Sequence, residues 1–244
     1  MTDDFPAGSV WLVGAGPGDP ELLTRKAARL IAAATVVFHD ALVSPEVLAL
    51  TAGRLEPVGK RSGRHSLAQP EIDALIVAAA LAGERVVRLK GGDPAIFGRA
   101  DEELGACRAA GVPVRICPGV TAASAAAAGL GVSLTLRGLA RKLTFVTAHV
   151  KPGSPVALDW ATLADPQATV AVYMGKAAAG EVSRGLIAAG LPPETPVAVV
   201  ENASLPAERR WRTRLDALPV VVAAELGDGP ALLLIGAAMM GATA

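Results

Sequence analysis

Ten short apolar, β-branched runs recur along the chain, and most of the gaps between them are long enough to hold a helix. The runs are 9–13, 35–39, 54–58, 85–90, 113–117, 143–147, 169–174, 196–200, 209–214 and 231–235. Their length and composition predict strands. Helical periodicity fills several of the gaps. Leu23, Ala27, Leu30 and Ile31 share one face behind Asp19 as N-cap and Pro20 in the first turn. Ile72, Leu75, Ile76 and Ala79 repeat that spacing, with Pro70 opening the helix and Gly83 closing it. Alternation of this kind predicts an α/β protein with largely parallel strand pairing.

Ten strands exceed one ordinary sheet, so the 244 residues divide into two domains. Gly138 and a basic stretch follow an alanine-rich segment, which places the division at 1–136 and 137–244, with about five strands on each side.

Composition removes several function classes. Apolar residues are 52% and charged residues 19%, which excludes general disorder. Lys plus Arg and Asp plus Glu are 23 each, and aromatics are 3%, so neither a polyanion binder nor a base-stacking platform is expected and no nucleic-acid partner is assigned. The longest uncharged run, 116–136, is broken by Pro118, Gly119, Gly129 and Gly131, so no membrane span is expected. Cys107 and Cys117 lack metal-ligand or redox spacing and read as small buried hydrophobes in a reducing compartment. No pair among His39, His65 and His149 has ligand spacing, so no metal is expected. The acidic start, Met1-Thr2-Asp3-Asp4, is unlike a signal peptide, and a cytoplasmic location is expected.

Seven stretches carry the chemistry. Gly14-Ala15-Gly16-Pro17-Gly18-Asp19 follows a strand and lets backbone approach a ligand, but Asp19 stands where a dinucleotide fingerprint needs its third glycine. His39-Asp40-Ala41-Leu42-Val43-Ser44 lies at a strand end, where Asp40 reads either as a general base or as a turn cap. Gly59-Lys60-Arg61-Ser62-Gly63-Arg64-His65 groups cations suited to a substrate with several carboxylates or phosphates. Arg88-Leu89-Lys90-Gly91-Gly92-Asp93-Pro94-Ala95-Ile96-Phe97-Gly98-Arg99 runs from a strand through a paired-glycine turn into a helix, where Asp93 either meets a ligand or caps. Pro118-Gly119-Val120-Thr121-Ala122-Ala123-Ser124, Tyr173-Met174-Gly175-Lys176 and Val200-Glu201-Asn202-Ala203-Ser204 complete the set.

In order and spacing, these stretches resemble the tetrapyrrole methylase family over nearly the whole chain, and GGDPAIFGR is the most specific of them. The resemblance implies two α/β domains, each with a roughly five-stranded mixed sheet and a cleft between them, in a homodimer. It implies S-adenosylmethionine as methyl donor, S-adenosylhomocysteine as product and no metal. Family contacts to the donor match Pro17, Gly91, Gly92, Asp93, Ile96, Thr121, Ala122, Met174 and Ala203. The family's proton acceptor matches Asp40 and its proton donor matches Lys60. Arg61, Arg64, Arg88, Arg99 and Arg137 are the candidate clamps for substrate carboxylates. The implied reaction is methylation of uroporphyrinogen III at C2 and C7, giving precorrin-2 through precorrin-1, for siroheme or cobalamin synthesis. Alternatives are a methylase of a later precorrin on the same fold and a non-catalytic S-adenosylmethionine-binding protein. The chain departs from the family pattern at Leu136, which replaces a histidine, and at Ser133, which replaces a proline.

Overall fold

The structure is a computed structural model that describes residues 4–59, 67–149 and 156–240. The chain forms two compact units, Met1–Thr121 and Ala122–Ala244.

The first unit holds strands β1 (Ser9–Gly14), β2 (Val36–His39), β3 (Arg54–Pro57), β4 (Arg85–Lys90) and β5 (Val114–Cys117), with helices α1 (Arg25–Ala33), α2 (Pro45–Leu48), α3 (Gln69–Leu81) and α4 (Ala100–Ala109). Its sheet is wholly parallel in the order β3-β2-β4-β1-β5. Successive side chains of a strand point to opposite faces. Val10 and Leu12 therefore join Val36, Phe38, Val86 and the buried faces of α3 and α4. Trp11 and Val13 join Val37, Val87, Leu89 and the buried face of α1. A sheet covered on both faces gives near-continuous apolar strands, as β1 and β2 show.

The second unit holds β6 (Lys142–Thr147), β7 (Ala168–Tyr173), β8 (Pro196–Glu201), β9 (Arg209–Arg214) and β10 (Ala231–Ile235), with α5 (Ala122–Leu130), α6 (Trp160–Leu163), α7 (Ala179–Ala188) and α8 (Leu218–Glu225). The order is β6-β7-β10-β8-β9. Here only β6 and β7 pair in parallel, and the three other pairings are antiparallel. The expected parallel pairing thus describes the first sheet alone. The connection between β8 and β9 is too short for a crossover helix, so β9 must return antiparallel. One face packs Val170, Val172, Val197, Val199, Leu233 and Ile235 against α7 and α8. The other packs Ala171, Ala198, Val200, Leu232 and Leu234 against α5 and the turn at Ala237–Met240.

All ten strands lie where the sequence places them, with each end within one residue. Two local expectations change. The units divide at Thr121/Ala122 rather than at 136/137, because α5 lays Ala123 and Ala126 against the second sheet. Asp19 caps only a short 3-10 turn at Pro20–Leu22, after which Leu23 is extended and Thr24 caps α1 through the Ala27 N–H, 3.0 Å away. No described helix is long and apolar enough to cross a membrane.

Candidate functional site

In the parallel sheet of the first unit, the strand C-termini share one edge, and the loops after β1, β4 and β5 are bonded to one another there. The Ala15 N–H donates to the Lys90 carbonyl at 2.8 Å, and Gly16 and Gly92 exchange two backbone bonds of 3.2 and 2.7 Å. Asp93 joins the third loop: its Oδ2 accepts the Gly119 N–H at 3.0 Å, and its Oδ1 accepts the Ala95 N–H at 2.8 Å. Glycine is required at 14, since a Cβ there would stand 2.6 Å from both the Gly119 nitrogen and the Gly92 oxygen. Pro17, Gly91, Gly92, Asp93, Ile96 and Thr121 are all carried by these three loops, and each is half-buried. Asp93 does not cap α4. That helix starts seven residues later, behind Arg99 at φ +55.

Asp40 follows β2 on the same edge. Its side chain caps nothing: Ser44 caps α2 through the Val47 N–H, and Ser44 Oγ donates to the Gly18 carbonyl at 2.7 Å. Asp40 Oδ1 instead receives Nη2 of Arg88 at 2.5 Å. Arg88 donates Nε to Glu103 at 2.8 Å and Nη1 to the Leu89 carbonyl at 3.1 Å. Lys90 donates to both oxygens of Glu103, at 2.8 and 2.9 Å. The Arg88, Lys90 and Glu103 side chains are 3%, 4% and 0% exposed, whereas that of Asp40 is 30% exposed. Burial works against the Arg88 cation, but the two carboxylates outweigh it and hold its pKa above the usual guanidinium value. Lys90 is pulled below the usual lysine value by burial and then by its Arg88 neighbour.

Sequence reasoning missed Lys90 and Glu103. The signal was present. Arg88 and Lys90 stand two apart on one face of a doubly covered strand, and Glu103 falls at helical spacing with Ala100 and Cys107 on the buried side of α4.

In the second unit, β7 and β8 both run antiparallel to β10 between them, so their C-termini share an edge. Met174 follows the end of β7 directly, and Ala203 stands two residues past the end of β8. Met174, Asn202 and Ser204 all take positive φ (53°, 55° and 65°), and Met174 is 48% exposed. Ala122 opens α5 beside them: the next residue, Ala123, donates its N–H to Tyr173 Oη at 3.2 Å. Glu201 at the end of β8 accepts Arg209 through Nη2 at 2.6 Å and lies 3.9 Å from Lys176 of the β7 loop.

The candidate clamps separate. Arg88 is buried between two carboxylates, which takes it out of reach of a substrate. Arg99 is exposed and forks onto Glu102 at 2.6 and 2.7 Å. Arg137 is exposed in the loop closed by the Leu136–Ala140 bridge, where Leu136 itself is 43% exposed. Lys60, Arg61, Arg64 and His65 lie outside the described residues. Among the described residues no cluster of three or more His, Cys, Asp or Glu side chains is placed to hold a metal ion.

Residues 9–219 match the family model for tetrapyrrole (corrin/porphyrin) methylases. The chain is 48% identical over 231 residues to a uroporphyrinogen-III C-methyltransferase of Paracoccus denitrificans, covering 94% of this chain and 80% of that one. It is 45% identical to a siroheme synthase of Gluconacetobacter diazotrophicus over 94% of its own length, and spans only 49% of that protein. Among solved structures, a uroporphyrin-III C-methyltransferase from Thermus thermophilus complexed with S-adenosylhomocysteine superposes with a TM-score of 0.81 at 41% identity, covering 95% of this chain and 99% of that one.

Proposed function

Because the chain belongs to the tetrapyrrole methylase family, we propose that it methylates uroporphyrinogen III at C2 and C7 with S-adenosylmethionine, giving precorrin-2 through precorrin-1. The observation that carries this reading is 48% identity across nearly the whole chain to a protein named for that substrate. The product would feed siroheme or cobalamin synthesis. The same reading carries a homodimer and a cytoplasmic location.

The residues present fit the methyl donor. Gly91 and Gly92 offer bare backbone, and the space a Gly92 Cβ would take is open. Pro17, Asp93, Ile96 and Thr121 are carried by the loops bonded at that turn in the first unit, and Ala122, Met174 and Ala203 are the family's donor positions in the second. When bound, S-adenosylmethionine supplies an electrophilic methyl group on a sulfonium. The protein's part is mainly orientation, which can lower a barrier by about 7–11 kcal/mol.

Asp40 accepts the proton that leaves the ring when a ring carbon gains its methyl group, and its charge stabilises the cation formed meanwhile. Lys60 serves as proton donor. Arg99 and Arg137, with Arg61 and Arg64, hold substrate carboxylates.

The test is an anaerobic incubation of the protein with S-adenosylmethionine and uroporphyrinogen III, with methyl groups on the product counted by mass spectrometry. Two added methyls are expected. No transfer with the donor still bound would overturn the reading in favour of a later precorrin substrate or a binding-only protein.

A further inference from the structure

Asp40 is the exposed end of a line of charges that otherwise lies inside the first unit. The order is Asp40, Arg88, Glu103, Lys90, with contacts of 2.5, 2.8 and 2.8 Å. Signs alternate along the line, so its four charges sum to zero. The guanidinium is planar, and its donors are spent on fixed partners: Nε on Glu103, Nη1 on backbone carbonyls and Nη2 on Asp40. It cannot swing towards a substrate without breaking all of them. Among the described residues, Asp40 Oδ1 is thus committed, while Oδ2 carries no hydrogen bond and the carboxylate is 30% exposed.

We infer that Arg88 is a positioning residue for Asp40, binding one oxygen of its carboxylate and leaving the other exposed, while Glu103 and Lys90 fix Arg88 from behind. This rests on the reading of Asp40 as proton acceptor. It reassigns Arg88 from clamping the substrate to controlling the base. Among the described residues, the charged and titratable groups around Asp40 are few. Arg88 and Lys90 come from β4 and Glu103 from α4. His39 is the residue before it, with Nδ1 3.2 Å from the Asp40 carbonyl oxygen. Asp73 lies behind Glu103, linked through Gln69.

Positioning acts on the proton-transfer step rather than on binding, so without Arg88 the Asp40 carboxylate is free to turn and the loss falls on kcat, not on KM. Arg88→Met is a fair probe because it leaves the Lys90–Glu103 pair intact and balanced inside the fold, with Asp40 partly in water. Arg88→Lys is the second variant: it keeps the charge but not the planar fork of fixed donors.

The experiment measures kcat and KM of methyl transfer for the wild type, Arg88→Met, Arg88→Lys and Asp40→Asn, with S-adenosylhomocysteine affinity measured alongside. The expected result is a kcat lowered about tenfold or more in Arg88→Met and by less in Arg88→Lys, with KM and affinity unchanged. An inactive Asp40→Asn together with wild-type kcat in the Arg88 variants overturns the inference and leaves the base assignment standing. Full turnover by Asp40→Asn instead overturns the base assignment itself. Should Arg88→Met fail to fold, the kcat of Arg88→Lys decides.

Discussion

Gly14 and Gly119 meet backbone to backbone: a methyl group on Gly14 would lie 2.6 Å from the Gly119 nitrogen and 2.7 Å from its Cα. The loop after β1 and the loop after β5 are therefore in contact through two residues that have no side chains. Gly14→Ala forces these loops apart against the bonds that join them at Gly16, Gly92 and Asp93. Overpacking of this kind costs about 1–3 kcal/mol. Chemical denaturation should show that loss, and calorimetry should show S-adenosylhomocysteine affinity reduced at least tenfold.

Asp93 ties the paired-glycine turn to the loop after β5 through the Gly119 N–H, and holds its own turn through the Ala95 N–H. Hydrogen bonds to a charged acceptor are worth about 1.5–3 kcal/mol each, and the orphaned donors add to the loss. Asp93→Ala should lower the denaturation midpoint and the S-adenosylhomocysteine affinity together. An unchanged midpoint would show that the two loops are held without it.

Met174 separates binding from stability. Its side chain is 48% exposed, so Met174→Ala should change stability by no more than about 0.5 kcal/mol. If the side chain meets the methyl donor, affinity should nonetheless fall several-fold. Equal affinity in a calorimetric titration would remove Met174 from the contact set.

The two thiols should be silent. Cys107 and Cys117 are 0% and 1% exposed, and burial raises both pKa values, that of Cys107 to about 11. The thiol is the form present below the pKa, and the thiolate is the form that reacts. At pH 8 the native protein should therefore not react with a disulfide reagent. After denaturation both cysteines should react, and fast labelling of the native protein would contradict this packing.

The exposed cations Arg99 and Arg137 should act on substrate alone. Alanine at either should raise KM for the tetrapyrrole by about tenfold, roughly one lost ion pair, while S-adenosylhomocysteine affinity stays fixed. A matching loss of both affinities would argue against a clamp.

Much of this fold is legible in local sequence. Most strand runs are short, apolar and bounded by turn residues, and all ten sit where the sequence places them. Pro70 and Gly83 bracket α3 as written, the glycine at φ +87. The start of α1 was harder to read, because Asp19 and Thr24 are both good caps and only the extended Leu23 between them shows which one begins the helix. The division of the chain was not legible either. An alanine-rich helix packs equally well on any close neighbour, and nothing local says that α5 joins the second sheet.

The sequence by itself determined the elements, the two-sheet class and the loops that carry the chemistry, because propensity, periodicity and glycine placement are local properties. Tertiary structure decided strand order, the antiparallel pairing of the second sheet and the fate of each charge. Arg88 and Arg99 both look in sequence like cations beside a glycine turn. Arg88 is buried between Asp40 and Glu103, while Arg99 is exposed and bonded to Glu102. A charge takes its role from its partners and its access to water, and both come from residues far away in the chain.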